Sequence, residues 1–526
     1  MTLPLQQSQE QRTASFASRL LPSIPLLGLA FFAFLIHISV AQNYGYFRDE
    51  LYYLAAGHHL TWGYLDFPPL MAMLAALLHV FSLDSLLGIH FLPALACALI
   101  VFMTGLIARQ LGGGRFSEVL AALASIVTIE FLASGSLFSM DVFDQLWWVL
   151  ALSTLIRLIR QDQPRLWLLF GLIVGIGLLT KLTMLYFGAA VTLSLLFVPQ
   201  RKYFRSPWLW LGGLIALLFL LPYIFWEQVN GWPSLEFWRN YASHPDSTSL
   251  LVNIAEEIFV MNPFNLPLII LGFCSYFSRT GRTYRLFGWM SAFLLVVFTL
   301  EHAKAYFPTP MYPVFYAAGA ILFERFVTKS LWRKYVLAPG SIVVLVLSGL
   351  LLAPIAMPIL PPNAYIAIYG KTFGDPSNPH HAPGQFPQWL GDRFEWDHLV
   401  SSVAKIYNRL PPVERAHACI LTSNYGEAGA FDLLGSAYHL PQVISGHNTY
   451  YLWGPGTCTG QVVLAVGFST PDDLRLLKQT FGSITVADTI HCVYCQPNED
   501  NLPIDICQHP FTSLQDVWAR FKHFNK

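Results

Sequence analysis

Long apolar blocks constrain this chain more than any motif does. A bilayer core takes about 20 apolar residues in helical form. Reading between polar breaks gives eleven such blocks, at 21–42, 86–108, 117–134, 142–160, 166–180, 182–198, 208–226, 253–277, 285–300, 308–326 and 335–357. Blocks 166–180 and 182–198 are short and nearly adjacent, which fits half-helices or a tight hairpin. Charged residues are 12% of the chain, against about 25% in soluble domains, and mean hydropathy is +0.48. This excludes a disordered chain and argues against an ordinary soluble enzyme. The 31 basic and 31 acidic side chains cancel, so no global field points to nucleic acid. The expected class is an α-helical polytopic membrane protein with about eleven transmembrane helices.

The first block follows Arg12 and Arg19 and ends near Ser39-Val40-Ala41, which resembles a signal cleavage site. Its apolar run exceeds the 7–15 residues or so of a signal core, so it reads as a retained anchor. Cytoplasmic loops carry an excess of Lys and Arg. With residues 1–20 inside and the blocks alternating, 17 cations fall inside up to residue 357, and only Arg48, Lys181, Arg239 and Lys304 fall outside. An odd number of spans then puts everything from 358 outside. The four outside cations have two readings: they snorkel to headgroups or pair locally, or they bind an anion such as a lipid phosphate.

The first outside loop, 43–85, holds Arg48-Asp49-Glu50, a predicted helix over 50–60 and a short apolar helix over 70–82. If Asp49 opens the first helix, Tyr52 and Tyr53 lie on its side at i+3 and i+4, where a sugar ring would fit between carboxylate and aromatic faces. Asp49 also reads as a plain N-cap, and so does Asp141 before the block at 142. The aromatic-rich loop 227–252, with Trp226, Trp232, Trp238 and Tyr241, reads first as an interfacial belt.

The segment "YFRDELYYLAAGHHLTWGYLDFPPLMAML" resembles the first outside loop of glycosyltransferase family 39, the GT-C group of protein O-mannosyltransferases and lipid A aminoarabinose transferases. "SGSLFSMDVFD" (134–144), "GIGLLTKLTMLYFG" (175–188) and "EHAKAYFPTPMYPVFYAAGA" (301–320) resemble later motifs of that family, in the same order over about residues 20–330. "NYGEAGAF" (424–431) and "SGHNTYYLWGP" (445–455) resemble a C-terminal domain of many bacterial members.

The resemblance implies a GT-C fold and an inverting sugar transfer from a polyprenyl-phosphate donor. The acceptor would be a lipid, glycan or protein hydroxyl outside the bacterial inner membrane. It assigns Asp49 as general base and Asp141 as a second active-site acid, with Asp144 a weaker candidate. Lys304 and Tyr306, then Arg239, Lys181 and Arg48, would meet the donor phosphate. Glu50, Tyr52 and Tyr53 would touch acceptor or sugar. One carboxylate suffices because phosphate is already a leaving group, whereas glycosidases use two. No cofactor is required, although a divalent cation is compatible. Two rival classes are a lipid-linked sugar transporter or flippase, for which no convincing repeat is visible, and a non-catalytic envelope scaffold.

Five of the seven cysteines lie in the last quarter of the chain. An outside location favours disulfides over zinc for His491-Cys492-x-x-Cys495 with Cys507 and His509, and spacing alone does not give the pairing. The adjacent pairs His58-His59 and His380-His381 lack the i, i+4 spacing of helical metal ligands. The tail divides into a Pro-rich connection (358–388) and a small α/β domain (389–526). Its strands are expected at 417–423, 442–446, 461–467 and 483–489, and its helices at 427–438 and 471–480, the latter capped by Ser469 or Thr470. No GxGxxG fingerprint accompanies them.

Overall fold

The computed structural model describes residues 22–243, 250–370, 372 and 384–524. The expected cytoplasmic segment 1–20, with Arg12 and Arg19, His380-His381 and most of 371–383 in the Pro-rich connection lie outside the described residues. Two compact units emerge. The first comprises Met1–Ala41, His90–Leu221 and Thr248–Met357, and the second Gln42–Ile89, Pro222–Ser247 and Pro358–Lys526.

Among the described residues, five helices are long and apolar enough to cross a membrane: Leu86–Gln110, Met140–Gln161, Pro207–Val229, Arg282–Leu300 and Arg333–Ala356. Counting two bent pairs as spans raises this to seven. The other apolar blocks are short or broken, for identifiable reasons. Block 117–134 splits into Arg115–Ile126 and Ile129–Ser134 at Thr128, whose backbone is extended (φ −70°, ψ 121°) and whose hydroxyl donates to Ala124 O at 2.8 Å and meets Tyr316 Oη at 2.9 Å. Block 253–277 bends by 84° between Leu250–Val260 and Pro263–Phe277. There Asn262 adopts a positive φ of 67°, and its amide donates to Val127 O at 2.9 Å and Ser348 Oγ at 3.0 Å. Backbone freed inside an apolar layer must find such partners. Blocks 166–180 and 182–198 are two short helices, Leu166–Leu178 and Thr183–Leu195, with Lys181 in the break.

The second unit contains a five-stranded sheet in the order β2-β1-β3-β5-β4, formed by β1 (Ala418–Thr422), β2 (Val443–Ser445), β3 (Val462–Val466), β4 (Phe481–Ile490) and β5 (Leu502–Pro510). β1 runs parallel to β2 and β3, and β5 is antiparallel to β3 and β4. Helix Pro471–Thr480 is capped by Thr470, whose hydroxyl accepts the Asp473 N–H at 3.2 Å. Cys419 and Cys458 form one disulfide and Cys492 and Cys495 another, while Cys507 is a buried free thiol. The core of this domain joins Cys419, Leu421, Val463, Ala465, Leu477, Phe481 and Trp518.

The expected strands and helices of this domain are all present within a few residues, except that helix 427–438 begins at Tyr425 and ends at Leu434. β5 was not expected, because Pro503 and Pro510 break the run, and Pro is tolerated only at strand ends and edges.

Candidate functional site

Of the residues singled out in the sequence, Asp141, Asp144, Lys181, Lys304 and Tyr306 belong to the first unit, and Arg48, Asp49, Glu50, Tyr52, Tyr53 and Arg239 to the second.

In the first unit, Asp141 stands in the first turn of helix Met140–Gln161, whose N-cap position is Ser139. The expected capping role therefore does not fall to Asp141. Its Oδ1 instead accepts from Lys181 Nζ at 2.5 Å, an ion pair only 25% and 12% exposed. The same ammonium lies 5.1 Å from the centre of the Tyr306 ring and 5.0 Å from that of Phe307. Glu130 lies within electrostatic reach of Asp141 and Lys181 and accepts from Gln145 Nε2 at 3.0 Å. Asp144 faces inward and accepts from Trp148 Nε1 at 3.1 Å and Thr183 Oγ1 at 2.7 Å. Lys304 is exposed beside half-buried Tyr306, and burial outweighs both cations, Lys181 and Lys304, in raising the Tyr306 phenol above its usual range.

In the second unit, helix Arg48–His58 begins after Phe47. Glu50, not Asp49, closes its N-terminus: the carboxylate is fully buried and accepts the Phe47 N–H at 2.8 Å. Asp49 is thereby left turned outward, its side chain one-third exposed at 33%, and Oδ1 accepts from the Tyr425 hydroxyl at 2.7 Å. Arg48 Nε is 4.0 Å from Asp49, but its closer partner is Asp392, 3.4 Å from Nη2. Its guanidinium lies 5.3 Å from the Tyr425 ring centre. Burial works against the Arg48 charge, yet Asp392, Tyr425, Asp49 and Glu499 together hold the guanidinium more firmly protonated than usual.

Tyr52 and Tyr53 are 1% and 3% exposed. Their rings are packed inside the unit: Tyr52 stacks on Tyr425 at 4.6 Å and Tyr53 meets Phe67 edge-on at 4.9 Å. Tyr52 donates to Asp66 Oδ1 at 3.0 Å and also contacts the Thr449 hydroxyl. Arg239 is exposed on helix Pro233–Ser243.

Two residues here were missed by sequence reasoning. Asp66 is half-buried, and the burial pushes its carboxyl up to about 7, with the Tyr52 hydrogen bond pulling the other way and the Asp49 charge adding to the rise. Its place in "YLDFPP" was visible, but no pattern gave it a role. Tyr425 lies in "NYGEAGA", where the spacing Asn424-x-x-Glu427 is a capping-box signature. Asn424 Oδ1 indeed accepts the Glu427 N–H at 2.9 Å, which fixes the helix start that aims Tyr425.

Among the described residues, no group of three or more His, Cys, Asp or Glu side chains is arranged to hold a metal ion.

Residues 66–226 match the family model of the dolichyl-phosphate-mannose-protein mannosyltransferases. The matched stretch holds Asp66, Asp141, Asp144 and Lys181, and leaves out Asp49 and Lys304. No curated protein matches the sequence. The fold is similar to that of ArnT from Cupriavidus metallidurans, solved bound to undecaprenyl phosphate, at 14% identity and a TM-score of 0.59 over 92% of this chain and 98% of that one. An oligosaccharyltransferase of Archaeoglobus fulgidus, tethered to an acceptor peptide, aligns at 14% identity and a TM-score of 0.47 over 80% of this chain and 63% of that one. The chain is thus a multi-pass membrane protein with a fold similar to that of ArnT, and its residues 66–226 resemble the dolichyl-phosphate-mannose-protein mannosyltransferases.

Proposed function

We propose that this protein is an inverting glycosyltransferase of the bacterial inner membrane. It takes a sugar from a polyprenyl-phosphate donor and passes it to a hydroxyl of an envelope lipid, glycan or protein on the extracytoplasmic side. The observation that carries the reading is the joining of Asp141, Lys181 and the Tyr306 ring, two of them inside the stretch that matches a family of lipid-phosphate-sugar transferases. The two disulfides of the tail domain support an oxidising compartment for it.

The reaction moves one proton and one electron pair. The acceptor hydroxyl oxygen bonds to the anomeric carbon as its proton passes to a carboxylate. The bond from that carbon to the phosphate oxygen breaks, and its electron pair leaves with the polyprenyl phosphate. We assign the proton to Asp49, which is partly exposed and not consumed in capping its helix. The leaving phosphate is assigned to cations of the first unit: Lys304, which is exposed, and Lys181, which Asp141 holds in place. Fixed positive charge aimed at a developing phosphate stabilises the transition state. Tyr306 shapes the surroundings of both lysines, and Arg239 is an outlying candidate for the same anion.

The test is transfer of labelled sugar from polyprenyl-phosphate donors by the purified full chain. Asp49→Asn should lower turnover by about 100-fold or more, the contribution typical of a lost general base, with the protein still folded. Lys304→Met should weaken donor use. Full transfer by Asp49→Asn would sink Asp49 as base and pass the role to Asp141.

A further inference from the structure

β1 lies between β2 and β3 in the parallel part of the sheet, so the chain leaves β1 to one side and returns on the other. At such a switch point, the carboxyl ends of the strands form the crevice where open α/β sheets bind ligands. Here the crevice is filled by the protein itself. Glu427 accepts the N–H groups of Ser423 and Asn424 at 3.0 and 3.4 Å, and a Cβ on Gly467, after β3, would collide with its carboxylate. Asn424 Nδ2 donates to Glu499 at 3.2 Å. The neutral ring of His447, its basicity lowered by burial and by His523 and Arg48, accepts the Tyr425 N–H at 3.3 Å.

What rests against this edge is the first-loop helix. A Cβ on Gly429 would sit 2.7 Å from the Leu51 backbone carbonyl carbon, and one on Gly426 would strike the Arg48 side chain. The closest approach of the two helices ends on the Tyr425–Asp49 hydrogen bond, which joins residues 376 apart in sequence.

From this geometry we infer that the α/β domain grips the first loop with its ligand-binding edge, and that Tyr425 is a positioning residue for Asp49. The inference rests on the proposed role of Asp49 as base. The Tyr425 hydroxyl engages one carboxylate oxygen and leaves the other for the acceptor proton. His447 and the Asn424–Glu427 box hold the tyrosine, and Arg48, tied to Asp392, lies 5.3 Å from its ring centre. Tyr425 touches no reacting atom itself.

The experiment compares Tyr425→Phe, Asp49→Asn and the double variant in the full chain, reading kcat, donor KM and hydrogen exchange over residues 48–58. Phe keeps the ring stack on Tyr52 and removes one hydroxyl. The expected result is a fall in kcat of about tenfold or more with donor KM unchanged, since misaiming a reactive group costs turnover rather than binding. The double variant should be no slower than Asp49→Asn alone, because residues acting as one unit are not additive. Exchange over 48–58 should rise in Tyr425→Phe. A wild-type kcat in Tyr425→Phe, with Asp49→Asn inactive, would overturn the positioning role and leave the base assignment standing. Wild-type transfer by Asp49→Asn would overturn the base assignment and this inference with it. If the wild type transfers from no donor, the glycosyltransfer reading fails, and unchanged exchange in Tyr425→Phe would overturn the grip independently.

Discussion

Lys181 and Asp141, 40 residues apart in sequence, meet as an ion pair at 2.5 Å, although the lysine sits in a break between two short helices and the aspartate in the first turn of a long one. Each end of the pair has a local reason to be there. A carboxylate in the first turn of a helix faces unpaired N–H groups, and the break at 179–182 places the lysine at a helix end instead of in the middle of an apolar face. A lysine so held keeps its charge without a freely moving counter-ion.

Breaking that pair should therefore cost stability. Removing one partner of a buried pair leaves the other charge uncompensated, typically a loss of about 3 kcal/mol or more; with side chains 12% and 25% exposed, the lower end applies. Lys181→Met is expected to lower the thermal midpoint of the detergent-solubilised protein, and Asp141→Asn likewise. The double variant should be less destabilised than the sum of the two, because neither charge is then stranded. A strictly additive double variant would show that the two do not interact.

Asp66 predicts a pH dependence of the second unit. Its carboxyl is raised by burial to about 7 from an ordinary value of 3.8. Between these two values the folded state holds a proton that the unfolded state has released. Stability contributed at this site is thus greatest below about pH 4, falls as pH rises, and levels off above about pH 7. Glu499, also raised by burial to about 7 although Arg48 pulls it down, slopes the same way. Asp66→Asn should remove its share, so that the variant gains on the wild type at pH 7.5 and not at pH 4.5. A rotated Asn448 amide, whose Oδ1 now lacks a partner, would accept the new N–H. Equal differences at both pH values, by thermal or denaturant unfolding, would contradict the prediction.

Asp49 and Glu50 show what the sequence disclosed and what it did not. The apolar blocks and the alternating strand-like and helix-like runs of the tail located most elements, because burial of an apolar face is a local property of the pattern. The capping arithmetic put a helix after Arg48, yet picked Asp49 over Glu50 as its closing residue. Only the third helical position reaches back to the Phe47 N–H, and that choice decides which acid is left outward. That Tyr52 and Tyr53 are buried is likewise not written in a tyrosine. Tyr425 and Asp66 were illegible for a different reason. Tyr425 meets Asp49 376 residues away, and Asp66 joins nearby Tyr52 to Asn448 382 residues away, and no single chain pattern marks such pairs.

The packing of the first-loop helix on Tyr425–Leu434 yields a sharper test than deletion would. Gly429→Ala places a methyl group against the Leu51 backbone, which cannot rotate aside, so the helices must part. A cost of roughly 1–3 kcal/mol is expected, the usual range for overpacking, along with reduced sugar transfer. Gly188→Ala is the control: nothing lies within 4 Å of its added carbon, and a helical alanine in place of glycine gains about 0.5–1 kcal/mol. A Gly429→Ala protein as stable and active as the Gly188→Ala protein would mean the two helices do not pack this closely.

The Cys419–Cys458 bridge closes a span of 39 residues that includes β2 and the helix Tyr425–Leu434. Restricting an unfolded loop of that length is worth about 4 kcal/mol in the chain-entropy treatment and commonly delivers less. Its sulfurs belong to the same core as Val463 and Trp518, so the pair Cys419→Ala, Cys458→Ala also removes buried packing. This variant should lower the thermal midpoint of the second unit, and reductant should then have little further effect from this site. Cys492–Cys495 spans only three residues, so on the same logic Cys492→Ser with Cys495→Ser should cost much less. Equal losses from the two double variants would show that loop length is not what the longer bridge contributes, and that its stabilisation comes from the packing around Cys419 instead.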